Sequence, residues 1–284
     1  MSMDEAVYTL FVTSLAATML AGYVCSVSGV YVVRMNLTAI GFTMSHAAFA
    51  GAAFAVWQDI DPTLGALLFA VVTALVLGPV SEKARLKADV MLGFLFSLLM
   101  ALGFLFLSIT PGEAASSVAL RIIWGSIFSV SLYDVMALLV LTVVVLLFTV
   151  GFHKEIMATL FDRKLAEASG VNTRAVYYSV LFLTGIAVAL SLELVGGLLV
   201  FALIINPAST AYQFSSDMKR IIWLSPIIGI LTCLAGFGLS WNIDTPVGST
   251  IIIVSATVLA VSISVSPKRR RSGLRGVIPG TSPH

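Results

Sequence analysis

Residues 41–51 read Gly-Phe-Thr-Met-Ser-His-Ala-Ala-Phe-Ala-Gly, GFTMSHAAFAG. The stretch is apolar enough to sit in a bilayer, yet it carries His46, and no other long apolar segment of the chain holds a histidine. Gly41, Gly51 and the alanines between them are small, which lets neighbouring helices approach closely in a membrane. An ionisable side chain at membrane depth is costly and faces a bundle interior or a water-filled path. The stretch therefore reads as one wall of a translocation pathway, with Phe42, Thr43, Ser45 and His46 as the lining. The alternative is an imidazole hydrogen-bonded within a helix interface.

The surroundings agree with a membrane setting. Of the 284 residues, 59% are hydrophobic and 11% charged, and the mean hydropathy is +1.04. A soluble domain carries about 25% charged residues, so the composition excludes one. The first apolar run, Val7–Val33, has no basic residue before it and is too long for the core of a signal peptide, so it reads as a membrane helix. Cys25 and Cys233 both lie in apolar runs and read as small buried hydrophobes.

A helix needs about 20 residues to cross the hydrocarbon core. Apolar runs at 7–33, 37–57, 62–80, 90–109, 132–152, 175–192, 194–212, 221–241 and 247–266 give an all-α, polytopic bundle of about nine spanning helices. Residues 175–212 would reach about 57 Å as one helix, too long for a single crossing. Glu193 followed by Gly196-Gly197 supplies the expected reversal.

With the N-terminus outside and the C-terminus inside, the cytoplasmic connections hold 15 of the 16 Lys and Arg residues, and only Arg121 falls outside. That is the positive-inside pattern. The outer side then collects acids, among them Asp61, Glu193 and Asp244, and a negative mouth raises the local concentration of cations. Residues 110–131 form a long outer connection, with Trp124 as an interfacial anchor. Residues 1–266 read as one transmembrane domain. The basic tail 267–284 reads as a disordered cytoplasmic segment whose KRRR run stops transfer.

No HExxH, GxSxG or Walker A pattern is present, so no enzyme is expected and ATP would be bound only by another subunit. No nucleic-acid partner and no covalently bound cofactor is expected. The segment 153–174, HKEIMATLFDRKLAEASGVNTR, is too polar to insert. It reads as short helices halted by Gly170, facing either a partner protein or the bilayer surface. Asp244-Thr245-Pro246 suits a helix start, where an acid complements the dipole. Pro207, following Asn206, should kink its helix.

Four stretches resemble one known family. They are GVYVVRMNLTAIGFTMSHAAFAG, FDRKLAEASGV, LVGGLLVFALIINPASTA and DTPVGSTIII, in the family's order and spacing. The chain resembles the membrane permeases of ATP-binding-cassette importers for zinc, manganese and iron. The resemblance implies a multi-pass protein of the cell membrane that pairs with a second copy of itself. It also implies cytoplasmic ATP-binding subunits, an extracytoplasmic substrate-binding protein and a transported divalent metal ion. It makes 153–174 the coupling segment, with Asp162, Glu167, Ala168 and Gly170 at its core.

One departure stands out. The family pattern has Asp four residues before the histidine, where this chain has Phe42. An Asp–His pair at that spacing shares a helix face and could grip a divalent ion. A lone neutral imidazole leaves the ion's charge unbalanced. Either Asp244 or Glu193 joins His46 as a metal ligand, or the cargo is a metal chelate or small organic solute. An ion-coupled secondary transporter would need acids within its apolar runs.

Overall fold

The computed structural model describes residues 3–84, 86–111 and 130–266. Its elements are α1 (Met3–Arg34), α2 (Ile40–Trp57), α3 (Pro62–Ala84), α4 (Ala88–Ile109) and α5 (Leu132–Gly151), then two short helices, α6 (His153–Phe161) and α7 (Arg163–Ala168), then α8 (Thr173–Val195), α9 (Gly197–Phe214), α10 (Met218–Ile243) and α11 (Val247–Val265). Among the described residues there is no strand, and nine helices are long and apolar enough to cross a membrane. Each expected apolar run corresponds to one of them. The protein is a multi-pass α-helical membrane protein. The expected interfacial stretch around Trp124, together with Arg121 and the tail 267–284, lies outside the described residues.

Two helices organise the bundle. α1 packs against α5, α8, α9 and α10, and α2 packs against α3, α4, α8 and α9. Small residues explain how α2 is so enclosed. Gly51 and Gly65 meet face to face where α2 crosses α3, and a Cβ on either would overlap the other's carbonyl oxygen. Gly29 of α1 is pressed in the same way onto the Ile204 carbonyl of α9. α4 and α5 instead leave rows of aliphatic and aromatic side chains exposed, including Val90, Phe94, Leu98, Val140, Val144 and Leu147. Apolar surface of that kind is stable facing lipid tails, with every helical backbone group satisfied internally.

The expected reversal after Glu193 falls at Gly196. α8 runs through Glu193 to Val195, and the break is a single residue, Gly196, at φ 85° and ψ 152°. A side chain would strain that backbone conformation. The two helices fold back beside α1: the Cys25 Sγ lies 3.7 Å from the Ser191 Oγ, and the Ser26 hydroxyl donates to the Leu203 carbonyl at 3.3 Å. At 1.5 Å per residue, Gly196 stands about 7–10 Å beyond that level, whereas α1 extends about 33 Å beyond it. The hairpin tip, with the Glu193 backbone, thus lies alongside the middle of α1 rather than in an outer connection.

Pro207 sits inside the continuous helix α9. Having no N–H, it releases the carbonyl of Leu203 four residues earlier. That freed carbonyl is the acceptor that the Ser26 hydroxyl uses.

Candidate translocation site

The hairpin tip opens beside α2. A cavity of about 250 Å³ is lined there by Phe42, Ser45, His46 and Phe49 of α2, Met100 and Phe104 of α4, and Leu192, Gly197 and Leu198 around the tip. α2 is wholly helical across the GFTMSHAAFAG stretch, so residues 42, 45, 46 and 49 share one face at spacings of three and four.

His46 is half-buried. Its Nδ1 lies 2.9 Å from the Phe42 carbonyl oxygen. A carbonyl can only accept, so in the neutral ring the proton sits on Nδ1 and Nε2 keeps its lone pair. Among the described residues Nε2 has no hydrogen-bond partner. Phe96 meets the imidazole edge-on, with ring centroids 4.6 Å apart. Phe42 stacks on Phe201 of α9 at 3.7 Å and also touches Phe96. Each such ring pair is worth roughly 0.5–1.5 kcal/mol beyond area burial.

Ser45 is buried, and its hydroxyl has no hydrogen-bond partner among the described residues. An unpaired buried hydroxyl costs about 1–3 kcal/mol. Its neighbour along the chain has found partners. The Thr43 hydroxyl reaches the Ala39 carbonyl at 3.1 Å and the Leu92 carbonyl of α4 at 3.0 Å. Thr43 therefore fastens α2 to α4 and is not among the residues that line the cavity.

Of the two expected acids, Asp244 does not reach His46, and the Glu193 side chain lies outside the described part of the structure. Asp244 is exposed in the turn between α10 and α11, where it caps α10 in the left-handed conformation at φ 56°. It lines a separate cleft of about 420 Å³ with Phe237, Ser240, Trp241 and Thr245. The Ser240 hydroxyl donates to the Thr245 carbonyl and closes that turn. Asp244 thus ends α10 rather than starting α11, whose N-cap is Pro246, and it stays out of the His46 cavity. Among the described residues no group of three His, Cys, Asp or Glu side chains could hold a metal ion.

The cavity also uses residues that the sequence did not single out. Met100 and Phe104 line it, Phe96 and Phe201 pack against Phe42 behind it, and nothing in the local pattern separates these side chains from lipid-facing neighbours. The Gly196-Gly197 pair was the one visible signal, because glycines so placed allow a break.

At the end of the bundle that holds Arg34, the segment 153–174 forms α6 and α7. Asp162 caps α7 by accepting from the Leu165 N–H at 3.1 Å, and Gly170 follows the helix end at φ 84°. Glu167 bonds the Thr173 hydroxyl and pairs with Arg163 at 3.3 Å, while Arg163 lies over the Tyr177 ring at 5.5 Å. Thr173, with Arg163 and Arg174 adding their positive charge, holds the Glu167 carboxyl below the usual carboxylate range. Asp162 thus opens α7, Glu167 and Ala168 close it, and Gly170 follows its C-cap.

Comparison with known proteins places this architecture. A family model described as the ABC 3 transport family matches residues 7–266. The manganese transport system membrane protein MntC of Halalkalibacterium halodurans is 29% identical over 263 residues, 92% of this chain and 89% of that protein. The chelated iron transport system membrane protein YfeD of Yersinia pestis is 26% identical over 256 residues, 90% of this chain and 85% of that one. The solved structure of PsaBC from Streptococcus pneumoniae in complex with Fab superposes with a TM-score of 0.82 at 25% identity, covering 96% of this chain and 100% of the matched one. With nine membrane-length helices among the described residues and a match running from α1 to the residue after α11, the chain belongs to the ABC 3 transport family.

Proposed function

We propose that this protein is the membrane-spanning subunit of an importer for divalent transition metal ions, with manganese, iron and zinc as the class. The observation that carries this reading is the His46 cavity. An imidazole with a free Nε2 and a buried, unpaired hydroxyl face one space between α2, α4 and the α8–α9 hairpin. The printed roles of MntC and YfeD in manganese and chelated-iron transport support the cargo class.

In this reading two copies of the chain form the pathway, and ATP is hydrolysed in separate cytoplasmic subunits docked on 153–174. An extracytoplasmic binding protein delivers cargo to the outer mouth. The N-terminus is outside, and Arg34, α6 and α7 lie in the cytoplasm, as the distribution of Lys and Arg favours. Cysteines introduced at Ser2 and at Thr281 test the orientation: an impermeant thiol reagent should label the first and spare the second in intact cells.

A second cargo form has its own support. Phe42 stands between Phe201 and Phe96 beside His46, so aromatic carbon surrounds the imidazole. A metal whose charge is already balanced by its own ligands suits such walls better than an aqua ion.

The test is uptake by cells expressing the whole transporter, with radioactive Mn²⁺ supplied free or with excess citrate. His46→Ala should abolish uptake of either form while the protein level and detergent melting point hold. A melting point that collapses with uptake would mark His46 as a structural residue instead. Phe42→Asp should favour the free ion and tighten its retention if the cargo is a bare cation. If the cargo is a complex, the new buried carboxylate should block uptake. Unchanged uptake in both variants would remove this face of α2 from the pathway.

A further inference from the structure

α1 ends at Arg34, and that side chain reaches across to α6. Its Nε–H donates to the Leu160 carbonyl at 3.1 Å. Leu160 is in the last turn of α6, where carbonyls have no donor within their own helix. Arg34 thus satisfies an orphan carbonyl at the point where α6 gives way to α7. Ile156 and Leu160 of α6 share an apolar cluster with Val27, Val30 and Tyr31 of α1, so the bond is backed by packing.

Beyond Arg34 the contacts continue without a gap. The Tyr212 hydroxyl of α9 donates to the Val30 carbonyl at 3.2 Å, Ser26 bonds Leu203, and Gly29 rests directly on the Ile204 backbone. α9 then presents Phe201, stacked on Phe42 at the His46 cavity. A displacement of α6 therefore has a stiff route through α1 to the cavity wall, with Arg34 as its first polar link.

We infer that Arg34 is a positioning residue for energy coupling: it locks the α6–α7 segment to α1, so that movement imposed on that segment reaches α9 and the cavity. This rests on the proposal that 153–174 docks the ATP-hydrolysing subunits. The competing role is electrostatic, with Arg34 serving only as a positive charge on the cytoplasmic side.

Side-chain chemistry separates the two. Gln carries its amide N–H at the same number of bonds from Cα as the Arg Nε, without the charge. Lys keeps the charge and places carbon at that position. Met keeps neither.

The experiment uses the assembled transporter, with its ATP-hydrolysing subunits and binding protein, in proteoliposomes. It reads Mn²⁺ taken up per ATP hydrolysed. Arg34→Gln should stay within about twofold of the unsubstituted protein. Arg34→Lys and Arg34→Met should lose about tenfold, the scale of one hydrogen bond made by a charged donor, while assembly and hydrolysis persist. Full coupling in Arg34→Lys with loss in Arg34→Gln would overturn the inference in favour of charge alone. Equal coupling in all variants would overturn it outright, and so would loss confined to assembly. Glu167→Lys separates this from the docking proposal. If that variant still co-purifies with the ATP-hydrolysing subunits and transports normally, the docking of 153–174 fails, and Arg34 loses its role with it.

Discussion

Around His46 the walls are phenyl rings and aliphatic side chains, and the polar atoms there are few and poorly paired. The α6–α7 segment is built the opposite way. Asp162 caps a helix, Glu167 joins Thr173 and Arg163, Arg163 covers Tyr177, and Arg34 reaches Leu160. The cavity lies at membrane depth, where helices are held by close packing and an unsatisfied polar group is expensive. The segment lies at the water-exposed end, where short helices cannot stand alone and need caps. Unpaired groups such as Ser45 Oγ and His46 Nε2 therefore mean more in the first region than they would in the second.

The glycines of the two regions break this comparison most sharply. Gly51 is needed for space and Gly170 for conformation. Gly51→Leu should force α2 off α3, with a cost of about 3 kcal/mol or more and a steep fall in folded yield. Gly170→Ala meets nothing within 4 Å, so only its φ of 84° is strained, at about 1–2 kcal/mol. Detergent melting of the two purified variants checks the order. A larger loss at Gly170 would mean that packing is not what holds α2.

The second effect is a pH dependence confined to the α6–α7 end. The folded pKa of Glu167 is lowered, so its contribution is fully present above the unfolded value, ordinarily about 4.3. It is lost as pH falls through the folded value. Hydrogen exchange of the amides between Arg163 and Thr173 should accelerate in acid below that range, and Glu167→Gln should remove the dependence. Equal acceleration around His46 would show that the loss is global.

The smallest effect sharpens the reading of the cavity. Ser45→Ala removes a hydroxyl with no partner among the described residues, so stability should be unchanged or rise by up to about 1 kcal/mol. Mn²⁺ uptake should fall by less than His46→Ala lowers it. A clear drop in melting point instead would show that the hydroxyl is satisfied in the assembled transporter.

The sequence by itself determined the apolar runs that form nine membrane-length helices among the described residues, and the polar segment between the fifth and the next long one. Hydropathy and helix periodicity are local properties, and a bilayer leaves few alternatives for an apolar run of that length. Gly170 as a stop was legible for the same reason, since turn chemistry acts within a few residues. The tertiary structure alone decided the rest. It set the reversal at Gly196 beside the middle of α1, turned Thr43 to Leu92, separated Asp244 from His46, and stacked Phe201 on Phe42. These depend on how helices distant in sequence cross one another. Close crossings are set by where small residues such as Gly29 and Gly51 meet a partner backbone, and that partner is not written next to them in the chain.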